Sequence, residues 1–111
     1  MVNDKIQQLD VDWIPGNMQT LCVLSRNPEE LTRDLGIRFN RSYDNLDYLK
    51  YAVIETTLGR IFGLVRHENN PRRGTELCVG LGYGRRECKL DEALSTIRET
   101  RDNLTWIADN Q

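Results

Sequence analysis

The stretch from residue 50 to residue 81, KYAVIETTLGRIFGLVRHENNPRRGTELCVGL, predicts three short strands joined by two turns. In its last part apolar side chains alternate with polar or small ones, which is the period of a strand with one buried face. Residues 57–59, TLG, and 69–74, NNPRRG, are rich in residues that favour turns. We therefore predict an antiparallel meander of strands at about residues 50–56, 60–67 and 75–81.

Two helices are expected beside these strands. Asn27, Pro28 and the two glutamates that follow form a helix start, because Asn caps a helix, Pro fits its first position and negative charge is favoured at its N-terminus. Gly36 favours a left-handed end, which gives a helix at about residues 28–35. Apolar residues then repeat at three- and four-residue spacing near the C-terminus, and this predicts a second, longer helix at about residues 91–108.

Outside these elements the hydrophobic patterns extend over fewer residues. Residues 20–25, TLCVLS, form a continuous apolar run that favours a buried strand. Residues 37–43 alternate in character and favour an additional edge strand. Residues 2–13 fit either a helix or a strand, since both periods match their apolar positions.

The order of these elements predicts an α+β fold. We expect a single-layer mixed, mainly antiparallel sheet of four to five strands, with two or three helices packed on it. The 111 residues have the size of one domain and contain no Pro-, Gly- or Ser-rich divider, so residues 1–111 are predicted to form a single domain. A content of 39% hydrophobic and 29% charged residues is typical of globular rather than disordered chains.

The N-terminus and the cysteines indicate where the protein resides. The first residues have neither a basic start nor an uninterrupted apolar run, which argues against a secretory signal, and no apolar stretch approaches membrane-spanning length. Cys22, Cys78 and Cys88 lack a paired spacing, in agreement with a reducing compartment. We therefore expect a soluble, cytoplasmic protein that does not bind a membrane.

Basic side chains are concentrated between residues 59 and 89. Seven of the 15 Lys and Arg residues lie there against three acidic residues, whereas the rest of the chain has eight basic and fourteen acidic residues. Such charge segregation attracts an anionic partner and accelerates association. We expect the basic loops to gather at one end of the molecule and to bind a partner through the following residues: Arg66, Arg72, Arg73, Tyr83, Arg85 and Arg86.

Patterns for catalysis and metal binding are incomplete. His67, the only histidine, together with Glu68 and Cys78 suggests a thiol nucleophile or a small metal site. A catalytic cysteine requires a nearby base and an orienting group, and zinc requires three or four convergent ligands. The sequence shows neither arrangement. It therefore favours a binding protein without metal or cofactor over an enzyme, and it assigns no role to Cys88.

A glycine-rich segment supports an alternative function. Residues 80–86, GLGYGRR, lie between a predicted strand and the last predicted helix, where glycine loops can hold phosphate, but the spacing matches neither the dinucleotide nor the P-loop pattern. The basic loops could also contact RNA or DNA. Only Tyr83 offers a stacking surface among them, and an isoelectric point of about 5.4 disfavours a dedicated nucleic-acid binder.

The sequence therefore favours a small intracellular protein-binding module, of the immunity or adaptor type, whose basic loops contact an acidic surface of a partner protein. The alternative is a protein that binds, or an enzyme that acts on, a small phosphorylated or other anionic ligand through residues 80–86. Binding of RNA or DNA is the third hypothesis.

Overall fold

The computed structural model describes residues 6–86, 88–109 and 111. Within these ranges two α-helices are present, α1 (Pro28–Leu35) and α2 (Leu90–Thr96), and one turn of 3₁₀ helix spans Arg101–Asn103. The described residues also form seven strands of one sheet: β1 (Gln7–Leu9), β2 (Pro15–Leu24), β3 (Asn40–Tyr43), β4 (Tyr48–Glu55), β5 (Ile61–His67), β6 (Thr75–Leu81) and β7 (Leu104–Ile107).

The sheet is antiparallel throughout the described residues. Its strand order is β1-β4-β5-β6-β2-β7, and β3 also pairs with β4. The α+β class agrees with the sequence analysis, but the predicted mixed sheet of four to five strands is wrong. Both β1 and β7 are short strands at the sheet edges, and such strands contain too few residues to show a clear period.

The predicted helix at residues 91–108 is wrong beyond residue 96. Arg98 takes a left-handed conformation, with φ of 56°, and the chain continues as β7 beside β2. Leu104 packs against the core from this strand. Threonine, tryptophan and isoleucine then follow, and these β-branched and aromatic residues favour a strand. The helical spacing of the apolar residues was therefore misleading.

The elements considered next agree closely with the predictions made from the sequence. The predicted helix at residues 28–35 is confirmed as α1, which begins with a hydrogen bond from the Asn27 N–H to the Glu30 side chain (3.1 Å) and ends at Gly36 with φ of 73°. The meander is confirmed as β4, β5 and β6, and the edge strand within residues 37–43 as β3. Of the ambiguous residues 2–13, Gln7–Leu9 is a strand, whereas residues 1–5 lie outside the described part.

One face of the sheet is covered by the two helices. Phe62, Leu64 and Leu77 from the sheet pack in one buried cluster with Leu31 of α1 and Leu94 of α2. Burial of such side chains supplies the main favourable term in folding. In the described residues, neither helix has the length and apolar character needed to span a membrane.

Part of the opposite face is covered by the segment that links β1 to β2. The Trp13 ring lies against Gly63, where a side chain would meet the ring atoms at 3.1 Å, and it stacks at a tilt on Tyr51 with ring centroids 5.3 Å apart. The Tyr51 hydroxyl donates to the Val11 carbonyl at 2.9 Å. This segment therefore buries its half of the face, while the half nearest β7 contains a groove.

A buried ion pair fixes the turn that leads into β7. Glu99, only 8% exposed, accepts hydrogen bonds from the Arg26 guanidinium (2.8 and 3.1 Å), the Asn103 side chain (2.9 Å) and the Thr100 N–H (3.1 Å). Burial by itself would raise the pKa of Glu99, but these hydrogen bonds outweigh it and lower the pKa. The carboxylate therefore stays charged and holds the start of β7 against the body of the protein.

Candidate functional site

The groove lies on the sheet face opposite the helices and extends from β5 to β7. Its volume is about 570 Å³, within the usual range for binding sites. Of the apolar lining residues, Val23 is partly exposed and Val65 is buried, and Trp106 lies at the β7 side. The turn at residues 68–74 supplies four further lining residues, Asn70, Arg72, Arg73 and Gly74. The groove therefore combines an apolar floor with a polar rim.

Arg66 organises the turn at the rim. Its guanidinium donates hydrogen bonds to three carbonyl oxygens of the turn, those of Arg72 (2.5 Å), Gly74 (2.9 Å) and Asn70 (3.3 Å). Carbonyl groups are dipoles without net charge, so these bonds satisfy the donors and leave the positive charge in place. The N–H of Gly74 donates to the Asn27 side chain at 2.8 Å, which ties the turn to the start of α1.

Two more arginines of the same turn line the groove. Arg73 pairs with Glu30 of α1 at 2.9 Å. The guanidinium of Arg72 has no ion pair with any other described residue. Three arginines thus face the groove against a single acidic lining residue, Glu76. The local charge is positive.

The Glu76 carboxylate already contacts other side chains of this chain. One of its oxygens accepts from the Thr20 hydroxyl at 3.0 Å, and the other lies 3.9 Å from His67 Nδ1. His67 Nε2 lies 3.0 Å from an Asp44 carboxylate oxygen. The pKa of Asp44 is lowered, first by the N–H groups of Asp47 and Leu46 that donate to it and then by His67. His67 therefore lies between a carboxylate of the turn after β3 and a carboxylate of β6.

The proposed thiol chemistry finds no support in this geometry. Burial raises the pKa of Cys78 to about 12, with a further contribution from the charge of Glu76, so its reactive thiolate form is suppressed. Burial also raises the pKa of Cys22 and of Cys88 to about 12. Among the described residues, no three His, Cys, Asp or Glu side chains converge as a metal site would require.

Trp106 is the groove residue that sequence reasoning missed. It lies opposite Val23 in the pairing of β7 with β2, and it is 47% exposed. Trp106 falls inside the helix predicted at residues 91–108, where it has no connection with the arginines. The run of leucine, threonine, tryptophan and isoleucine at residues 104–107 was the signal for a strand, and hence for an edge aromatic.

The expected gathering of the basic loops at one end is wrong. Arg66, Arg72 and Arg73 lie around the start of β6, whereas Tyr83, Arg85 and Arg86 follow its end. A seven-residue strand therefore separates the two groups. Arg85 pairs with Glu55 and donates to the Gly59 carbonyl at 2.9 Å. The Tyr83 hydroxyl contacts the Asp12 carbonyl and lies 3.2 Å from the Ile14 N–H.

Two of the three glycines in residues 80–86, Gly80 and Gly82, allow two backbones to approach closely. Gly80 has φ of 82°, and a side chain there would lie 2.1 Å from the Asn17 carbonyl oxygen. The N–H of Gly82 donates to the Ile14 carbonyl at 2.8 Å. These contacts attach the end of β6 to the start of β2 and account for both glycines without a ligand.

Comparison of the chain with protein-family models, with curated proteins and with solved structures found no significant match.

Proposed function

We propose that this chain is a small intracellular protein-binding module, of the immunity or adaptor type. The groove between the turn at residues 68–74 and β7 receives an acidic part of the partner protein. Arg66, Arg72 and Arg73 attract its carboxylates, and Trp106 packs against its apolar atoms.

The observation that supports this proposal is the presence of three arginines and a half-exposed tryptophan in one groove. Trp and Arg are enriched among the residues that contribute most to protein–protein affinity. The partly exposed side chain of Val23 can be desolvated on binding, while the arginines at the rim select an acidic partner and speed its approach. Because the hydrogen bonds of Arg66 go to carbonyl groups, its charge remains available to that partner.

The two other hypotheses remain predictions. A small anionic ligand held by residues 80–86 would compete for backbone that already binds the start of β2, since the Gly82 N–H is engaged there. A single-stranded nucleic acid would favour several stacking aromatics, and the groove lining contains one aromatic residue, Trp106.

Reversing the two exposed charges of the turn tests the proposal. We expect the double variant Arg72→Glu and Arg73→Glu to bind its partner at least about tenfold more weakly, because rim charges govern the encounter and select the partner. Affinity capture from the native cells, followed by titration of the recovered partner, measures the change.

The matched control is the double variant Arg85→Glu and Arg86→Glu at the other end of β6. Within the described residues each pair contains one arginine in an ion pair, Arg73 with Glu30 and Arg85 with Glu55, and each lies next to a glycine-containing turn. Melting temperatures verify that both variants are folded. Equal loss of binding in the two variants, or loss in the control alone, would show that the groove is not the binding surface.

A further inference from the structure

The outer edge of β7 is uncharged and unprotected. Within the described part of the chain β7 pairs only with β2, and its four residues, LTWI, include neither a charge nor a proline. Soluble proteins usually protect such edges with charged residues or proline, because an open edge can pair with another chain. At the opposite edge β3 carries Arg41, whereas β1, with residues QQL, also lacks both charge and proline. An edge left open in this way is suited to receiving a strand.

Backbone groups of Ile107 point toward this open edge. The Ala108 N–H donates to the Leu21 carbonyl at 2.9 Å, and Ile107 is the residue opposite Cys22. Antiparallel partners alternate between pairs that exchange hydrogen bonds and pairs whose N–H and C=O groups point away from each other. Ile107 belongs to the second kind, so its N–H and C=O point away from β2, and they bind no other backbone group of the described residues.

The open edge and the arginine-lined groove adjoin each other. Thr105 and Trp106 of β7 are also lining residues of the groove. Side chains of a strand alternate between the two faces of its sheet, so every second side chain of a strand added to β7 would stand on the groove face. Carboxylates at those positions would complement Arg66, Arg72 and Arg73.

We propose that the partner contributes an extended acidic segment that pairs with β7 as an eighth strand and directs its carboxylates to the arginines of the groove. This inference rests on the proposed function, and it adds the mode of binding. Main-chain hydrogen bonds supply affinity in such strand addition, and the alternate side chains supply specificity.

A second copy of this chain fits the same edge less well. Antiparallel pairing of two β7 strands in one continuous sheet would place both arginine-lined grooves on the same face, next to each other. Like charges brought together at an interface oppose association. Charge therefore favours an acidic segment of a different protein over self-association.

Substitution of Ile107 with proline tests the backbone pairing. Proline removes the N–H that points to the open edge and leaves the bonds to β2 intact, since proline is tolerated on edge strands at such positions. The Ile107→Ala variant keeps the N–H and serves as the control for the lost side chain. The probe is a capped synthetic peptide that alternates glutamate with valine, and a second peptide has lysine in place of glutamate.

Titration of the isotope-labelled full chain, followed by NMR, gives the result. We expect the glutamate peptide to shift the amide signal of Ile107, to bind the proline variant at least about tenfold more weakly than the alanine variant, and to bind far better than the lysine peptide. Equal binding to the two variants, or no binding of the glutamate peptide at millimolar concentration, would overturn strand addition. A chain that is dimeric by light scattering and becomes monomeric in the proline variant would also overturn it, in favour of a second copy.

Failure of strand addition can be distinguished from failure of the proposed function. If capture of the native partner is lost on reversing Arg72 and Arg73 but is unchanged in Ile107→Pro, the groove binds the partner without an added strand. The proposed function then stands, and the inference about β7 is wrong.

Discussion

Replacing Gly80 with alanine is expected to lower the free energy of unfolding by about 3 kcal/mol or more. The backbone at Gly80 has φ of 82°, in the left-handed region that disfavours residues with a side chain. The added methyl group would also lie 2.1 Å from the Asn17 carbonyl oxygen, which is backbone and cannot rotate away. The end of β6 and the start of β2 would have to separate, and part of their pairing would be lost.

Gly84→Ala separates the penalty of the left-handed backbone from the penalty of the steric clash. Gly84 also has a left-handed backbone, with φ of 68°, but apart from its two chain neighbours no described residue lies within 4 Å of the position that a methyl group would take. Only the conformational penalty remains, about 1 kcal/mol. Urea unfolding followed by tryptophan fluorescence compares the two variants. Similar midpoints would show that the close approach at Gly80 contributes nothing to stability.

Replacing Trp106 with alanine is expected to weaken partner binding about 100-fold, because a tryptophan at the centre of a desolvated interface is typical of the residues that dominate affinity. The melting temperature should change little, since nearly half of Trp106 is exposed in the free protein. Calorimetric titration with the captured partner and thermal unfolding of the free variant measure the two quantities.

Tyr48→Ala is the matched control for this substitution. Tyr48 is 46% exposed, close to the 47% of Trp106, but it packs against Tyr43 and Arg41 beside β3 rather than in the groove. We expect its removal to leave the affinity unchanged. A comparable loss of affinity in both variants would place the binding surface elsewhere or show that it extends over much of the sheet.

The parts of the fold that depend on local chemistry were predictable. Helix α1 combines Asn27, Pro28 and Gly36 within a few residues, and each of these favours its place for a reason that needs no tertiary contact. The strands of the meander are similarly separated by turn residues, so their predicted boundaries lie close to the observed ones. At residues 104–107 the residue types favoured a strand, but the helical spacing of the apolar residues competed with that signal, and the edge of β2 that β7 pairs with exists only in the assembled sheet.

The separation of the arginines could have been foreseen. The predicted strand at residues 75–81 lies between Arg73 and Arg85, and a strand extends about 3.3 Å per residue, so its two ends are about 20 Å apart. Arginines that flank one strand must lie at its opposite ends. The association of Trp106 with the first group could not be foreseen, because it follows from the pairing of β7 beside β2.

Hydrogen–deuterium exchange of the chain, free and bound to the partner captured by the wild-type protein, tests the location of the binding surface most directly. We expect binding to slow exchange in β7 and in the turn at residues 68–74, because both border the groove. Exchange in residues 82–86, at the other end of β6, should stay unchanged. Slower exchange in residues 82–86 without any change in β7 or the turn would contradict the assignment of the groove as the partner-binding site.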